Sequence, residues 1–185
     1  MGKADATKER ILEAAMAEFS AYGVAGARVD RIARTAGCNK NLIYVYFENK
    51  ETLFTTVLEK HLSRVYSDMV ATPADLAGQA GRVFDFAMAN PDLMRLMAWS
   101  NLEEQATEPA ARAAVQNAKV AGIAAAQADG KVNPDLPADF LLTAVMTLAT
   151  AYTAANPFSH GTEDPTALRH HITEAIRLLT KPATE

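Results

Sequence analysis

The chain has 185 residues, 49 % apolar and 22 % charged, enough for one good hydrophobic core or for two small domains sharing one. Its 18 Lys plus Arg against 22 Asp plus Glu give a formal charge of −4, which excludes a uniformly basic nucleic-acid coat protein, and its single cysteine, Cys38, excludes an intrachain disulfide framework or a zinc site of paired cysteines. The opening residues are charged, Ala6 stands where a myristoylation signal calls for Ser or Thr, and the longest nearly apolar run, 144–155, is interrupted by three threonines. The expectation is a cytoplasmic protein with no signal peptide, lipid anchor or membrane span.

Periodicity is helical almost throughout, with no sustained alternation of period two, so the fold class expected is all-α with about nine helices. The first helix is expected to open at Thr7 as a cap, to carry Leu12, Ala15, Phe19 and Tyr22 on one buried stripe, and to stop at Gly23. A short second helix follows, with Val29, Ile32, Ala33 and Ala36 on its apolar face and Gly37 at its end. Asn39 is positioned to cap a third helix running through Phe47, in which Ile43 and Phe47 lie one turn apart on the inward side. Two short helices joined by a glycine-containing turn have the spacing of a helix-turn-helix.

A longer helix is expected from about residue 50 to about 71, with Leu53, Phe54, Val57, Leu58, Leu62 and Val65 inward, and Pro73 ends it. Prolines then open further helices, at roughly 74–89, 91–103, 109–128, 138–156 and 165–180. This divides the chain into a DNA-binding domain, 1–50, and a C-terminal domain, 51–185, with 51–71 as the connecting helix. Charge divides too: residues 1–71 carry a net +1 and residues 72–185 a net −5, and within 28–50 five basic side chains face two acidic ones.

With Ile43 and Phe47 inward, Lys40, Asn41, Tyr44 and Tyr46 turn outward. Asn41 suits the edge of an adenine, Lys40 a guanine or a phosphate, and Tyr44 a thymine methyl or a phosphate. Lys50, at the start of the fourth helix, and Arg28, at the mouth of the second, are placed for phosphates, Arg28 also for an adjoining minor groove. Arg31 and Arg34 lie off the apolar stripe and read as solvated, and Cys38 as a small buried residue of the turn. In the second half, Met97 and Trp99 are candidates to line an effector pocket between helices. Ala144 and Ala149 on one helix, and Leu168, Ile172, Ile176 and Leu179 on the last, are candidates for a dimer interface, since two-fold pairing matches a palindromic operator. His160, His170 and His171 lack the spacing of a metal set. No cofactor is expected, and no catalytic signature stands in supporting context, which argues against an enzyme.

These residues also resemble the TetR (tetracycline-repressor-like) family of bacterial transcriptional regulators. The opening pattern is Thr7-Lys8-Glu9-Arg10-Ile11-Leu12-Glu13-Ala14-Ala15, then Phe19 and Tyr22-Gly23. The helix-turn-helix is carried by Val29-Asp30-Arg31-Ile32-Ala33, Ala36-Gly37, Lys40, Tyr44, Tyr46-Phe47, Asn49-Lys50-Glu51 and Leu53-Phe54. The resemblance implies an all-α homodimer in which a DNA-binding unit precedes a variable effector and dimerisation domain, with DNA contacts at Lys40, Tyr44, Tyr46 and Lys50. The chain departs from the family pattern at Arg28, where a hydroxyl residue is usual before the second helix, at Asn41, where a small residue is usual, and at Cys38.

The function expected is a repressor that binds double-stranded DNA and is released from a palindromic operator by a small-molecule effector. An effector-independent dimeric DNA-binding protein is the alternative that a C-terminal domain without a cavity would favour. A small helical enzyme or interaction module is the alternative that DNA binding indifferent to Tyr44→Ala and Lys50→Ala would favour.

Overall fold

The computed structural model describes residues 2–68, 73–102, 110–153, 156 and 164–182. Among them are nine α-helices and no strand: α1 (Lys3–Gly26), α2 (Val29–Ala36), α3 (Lys40–Phe47), α4 (Lys50–Asp68), α5 (Leu76–Ala89), α6 (Pro91–Leu102), α7 (Ala110–Ala128), α8 (Ala138–Ala149) and α9 (Pro165–Thr180). They form two compact units, one of residues 1–65 and 91–107, the other of residues 66–90 and 108–185. The expected boundary at residue 50 is therefore not where the compact units divide. Both α4 up to Val65 and the whole of α6 group with the first three helices, and α6 does so by packing on α1, with Leu93 and Leu96 buried.

In the first unit α1 begins a turn earlier than Thr7. The Gly2 amide donates to Asp5 Oδ2 at 3.0 Å, which satisfies one of the orphan donors at the helix start, and Thr7 lies inside the helix, where its hydroxyl accepts from Arg10. Gly23 does break the helical path, at φ 66° and ψ 179°, and one further turn follows to Gly26. Ile11, Leu12, Ala15 and Phe19 of α1 are buried, but Tyr22 is exposed, with the Arg31 guanidinium over its ring. Phe19 meets Phe54 of α4 edge to face, at 5.3 Å between ring centroids.

The turn between α2 and α3 is built as the sequence suggests. Gly37 is left-handed, the Cys38 amide reaches back to the Ala33 carbonyl at 3.0 Å, and Asn39 Oδ1 accepts from the Asn41 amide at 2.9 Å. Cys38 itself is half-buried rather than buried. After α3 the chain turns sharply through Glu48, at φ 62° and ψ −53°, with the Asn49 amide bonded to the Phe47 carbonyl across a three-residue γ-turn. Asn49 Oδ1 then accepts from the Thr52 amide at 2.7 Å and so caps α4.

In the second unit α5 packs on α8 and α9, and α8 on α7 and α9. α5 is buried over most of its surface, with Arg82, Asp85, Met88 and Ala89 on an exposed strip, and Gly81 explains its close approach to α9. A Cβ there would stand 2.8 Å from Arg169 Nη2 and 3.2 Å from Thr173 Cγ2. The Arg169 Nε donates to Asp85 at 2.8 and 2.9 Å across the same contact. α9 is capped by Asp164, which accepts from the Thr166 amide, with Pro165 in the first turn. α8 ends at Ala149 instead of 156: the Thr150 amide still bonds the Met146 carbonyl, but the Ala151 amide takes the Leu148 carbonyl, an i→i−3 bond that tightens and closes the last turn.

Glu48 is the described non-glycine residue at positive φ, a conformation glycine adopts without steric cost. Glu48→Gly is expected to raise stability by about 1 kcal/mol, a gain of roughly 2–4 °C in thermal denaturation. An unchanged or lower Tm would show that the strain at Glu48 is no larger than the chain entropy that glycine costs.

Candidate functional site

The outward surface of α2 and α3 depends on how α3 is seated. Ile43 and Phe47 are 1 % and 2 % exposed, which fixes the rotation of a helix only eight residues long. Asn41 and Tyr44 are exposed as expected, and Tyr46 is half-buried with its ring edge-to-face on Phe47 at 6.2 Å. Val45 is 74 % exposed. Sequence reading passed over Val45 although the signal was present: with Ile43 and Phe47 inward, the residue midway between them points directly outward.

Three of the cations, Lys40, Lys50 and Arg31, are held by partners. Lys40 Nζ lies 2.9 Å from Asp30 Oδ1, and that bond raises the lysine above its ordinary pKa. Lys50 Nζ reaches the Ala27 carbonyl at 3.4 Å, so its ammonium sits where α1 gives way to α2. Arg28 is exposed at the start of α2, where its side chain makes no capping hydrogen bond. The capping is done from α1. Glu18 Oε1 accepts from the Arg28 amide at 2.9 Å and from Arg31 Nε at 2.7 Å, while Arg31 also donates to the Gly26 carbonyl and lies 4.2 Å from the centre of the Tyr22 ring. Arg31 is therefore a structural clasp and not the solvated cation expected, and its pKa is raised by the Glu18 bond. Arg34 is exposed.

Glu18 was not anticipated. It occupies the buried face of α1, in register with Ile11 and Ala14, and a carboxylate in that register is legible as a polar anchor. Burial alone would raise its pKa, but the hydrogen bonds from Arg31 and the Arg28 amide and the two positive charges outweigh it and hold the carboxyl below its ordinary value.

In the second unit, four of the six residues expected at a dimer interface are consumed by the protomer's own core. Ala149, Leu168, Ile172 and Ile176 are all buried within the single chain, where α8 and α9 close on each other and on α5. The apolar stripe was real, but its partner is intramolecular. Ala144 and Leu179 are half-buried, whereas Phe140 and Leu178 stand out at 51 % and 76 % exposed. Between α8 and α9 lies an open groove of about 340 Å³ lined by Leu148, Ala151, Tyr152, Asn156, His171 and Ala175, with Ile172 at its base. Met97 and Trp99 are half-buried on α6, which belongs to the first unit, and neither lines that groove. Two other polar groups of the second unit stand out. Gln79, 2 % exposed on α5, has an Nε2 without a hydrogen-bond partner among the described residues, and Lys119 on α7 is half-buried with its pKa lowered by burial. His170 and His171 are exposed on α9, and His160 lies outside the described residues.

Comparison with known proteins gives matches over both parts of the chain. Residues 11–57 match the family described as bacterial regulatory proteins, tetR family, and residues 75–178 match the tetracyclin repressor-like C-terminal domain. The HTH-type transcriptional repressor SCO4008 of Streptomyces coelicolor is 40 % identical over 148 residues, 78 % of this chain and 77 % of that protein. The HTH-type transcriptional repressor NicS of Pseudomonas putida is 34 % identical over 109 residues, 55 % of this chain and 51 % of its own. Among solved structures, SCO4942 of S. coelicolor superposes with a TM-score of 0.80 at 34 % identity, covering 94 % of this chain and 98 % of that one. The regulator FadR of Bacillus subtilis, crystallised with stearoyl-CoA, shares the fold at a TM-score of 0.68 and 17 % identity over 91 % and 96 % of the two chains.

A carboxyl held below its unfolded pKa contributes stability that is present above that unfolded value and lost as pH falls through the folded one. Glu18→Gln, which weakens the clasp on Arg31 and the α2 amide, is expected to cost about 1 kcal/mol at pH 7, or roughly 2–4 °C. The gap between variant and wild type should close as the pH is lowered below 4.5. Melting curves at pH 7 and at pH 3.5–4 test this, and a gap that does not change with pH would remove the charge from the explanation.

Proposed function

The chain belongs to the TetR family of bacterial regulatory proteins and is a DNA-binding transcriptional regulator, and we propose that it acts in the cytoplasm as a homodimeric repressor, bound to a palindromic double-stranded operator and released from it by a small-molecule effector. The observation that carries the DNA-binding surface is the seating of α3. Burial of Ile43 and Phe47 turns Asn41 and Tyr44 outward, with Lys40 and Lys50 at the two ends of the same surface and Tyr46 and Arg28 beside it. Asn41 meets a base edge, and Tyr44 a base edge through its ring or a phosphate through its hydroxyl. Lys40, Lys50 and Arg28 meet phosphates, the lysines by swinging from Asp30 and from the Ala27 carbonyl. The repressor sign is supported by the names of SCO4008 and NicS. Residence in the cytoplasm is where operator DNA is found, and among the described residues no helix is long and apolar enough to cross a membrane.

Pairing of two copies is supported by the outer faces of α8 and α9, where Phe140 and Leu178 present apolar surface to water next to Ala144 and Leu179. An effector is supported by Gln79 Nε2, a buried donor without a partner among the described residues that an acceptor oxygen of a ligand would satisfy, and by a fold that holds stearoyl-CoA in B. subtilis FadR. Effector and operator then oppose each other reciprocally, because each favours a different state of the dimer.

Binding to the DNA flanking the chain's own gene, set against scrambled DNA of equal length, tests the reading. Tyr44→Ala is expected to lower affinity for the preferred sequence at least tenfold, and Lys50→Ala to weaken all sequences alike and reduce the salt slope by about one ion. No preference over scrambled DNA would sink it. Leu178→Glu should shift sedimentation from dimer to monomer and weaken operator binding with it. A variant that stays dimeric would move the interface elsewhere.

A further inference from the structure

We propose that Val45 reads a thymine methyl group in the operator, next to the base read by Asn41, and so determines sequence specificity; the proposal rests on the DNA-binding reading above. Ile43 and Phe47 are one turn apart and both buried, and at 100° per residue Val45 lies about 180° from their mean direction, on the crest of α3. Tyr44 and Tyr46 flank it about 100° round on either side, and their exposures agree with that rotation, 41 % for Tyr44 and half-buried for Tyr46. Asn41 is exposed one turn before Val45 and lies within about 40° of the same line. The two residues on the crest of α3 are thus an amide and a branched hydrocarbon.

Val45 does nothing for the folded protein that would account for it. At 74 % exposed it buries little, and a β-branched side chain is a weaker helix former than alanine. An apolar crest residue has few partners in a major groove: it cannot hydrogen-bond a base edge or hold a phosphate, and the one apolar group presented there is the C5-methyl of thymine. Tyr44, with its ring to one side and a hydroxyl at its tip, remains suited to a phosphate. Asn41 and Val45 are four residues apart, about 6 Å along the helix axis, which spans roughly two base steps at 3.4 Å. The thymine therefore falls within about two base pairs of the adenine that pairs with Asn41, once in each half-site.

The test uses the full-length protein and a randomised double-stranded DNA pool. After selection of a preferred sequence, each thymine is replaced in turn by deoxyuridine, which lacks the methyl and keeps the base-pairing edge. The wild type is expected to lose about fourfold in affinity per half-site at one thymine position, the worth of one buried methyl group. Val45→Ala should bind the parent sequence about fourfold more weakly per half-site and be indifferent to deoxyuridine at that position, while keeping the wild-type response at every other thymine. Its Tm should not fall, which separates lost contact from lost fold. If Val45→Ala keeps every deoxyuridine penalty of the wild type, or if no thymine replacement affects the wild type, the assignment to Val45 is overturned while sequence-selective binding still stands. If no preferred sequence emerges from the pool, the DNA-binding reading fails and this inference with it.

Discussion

The insertion of Ile43 and Phe47 into the first core is the constraint on which the DNA-binding surface depends. A helix of eight residues has little stability of its own, since nucleation is costly and so few backbone bonds follow it. What holds α3 is the pair of buried side chains on one face and the Asn39 and Gly37 geometry at its start. Because the inward pair sets the rotation, the outward set is determined with it. A one-residue shift of that pair would rotate the face by about 100° and exchange Asn41 and Val45 for their neighbours.

Glu18 plays the complementary part for α2. Carboxylates are rarely buried without partners, and this one collects an amide and a guanidinium from the segment leading into the helix-turn-helix. The chain lacks a hydroxyl side chain at the position before α2, and the capping duty passes to a residue on α1. Arg28 is thereby freed to point into solvent, although it stands at the cap position itself. Arg31, the third residue of the helix, is the cation withdrawn from solution.

Much of the first unit is legible in the sequence because local rules and packing agree there. Gly37, Asn39 and the Ile43–Phe47 pair each determine one boundary or one face, and none requires knowledge of a distant residue. Where a distant residue decides, reading along the chain falls short: Glu18 and Arg31 are thirteen positions apart, and α6 joins the first unit from across an intervening helix. The four expected dimer positions that lie in the chain's own core show a related limit. Periodicity shows that Leu168, Ile172 and Ile176 need apolar partners, but it is silent on whether those partners lie in the same chain, and α5 and α8 supply them. Val45 was missed because attention to polar side chains overlooked an apolar one whose phase was already determined.

The two faces of α3 are under different physical demands, and this bears on how such a protein changes its target. Ile43 and Phe47 carry the packing, so enlarging or shrinking them costs stability through strain or cavities. Asn41 and Val45 carry almost none, since both project into solvent. Substitution on the crest is therefore nearly free for the fold and expensive only for the operator, whereas substitution in the seat is expensive for both. Tyr46 lies between these cases: half-buried against Phe47, it couples the position of the seat to the flank of the reading surface. A change at Tyr46 would shift the crest as well as remove a contact, so its effect on base preference cannot be additive with changes at Asn41 or Val45.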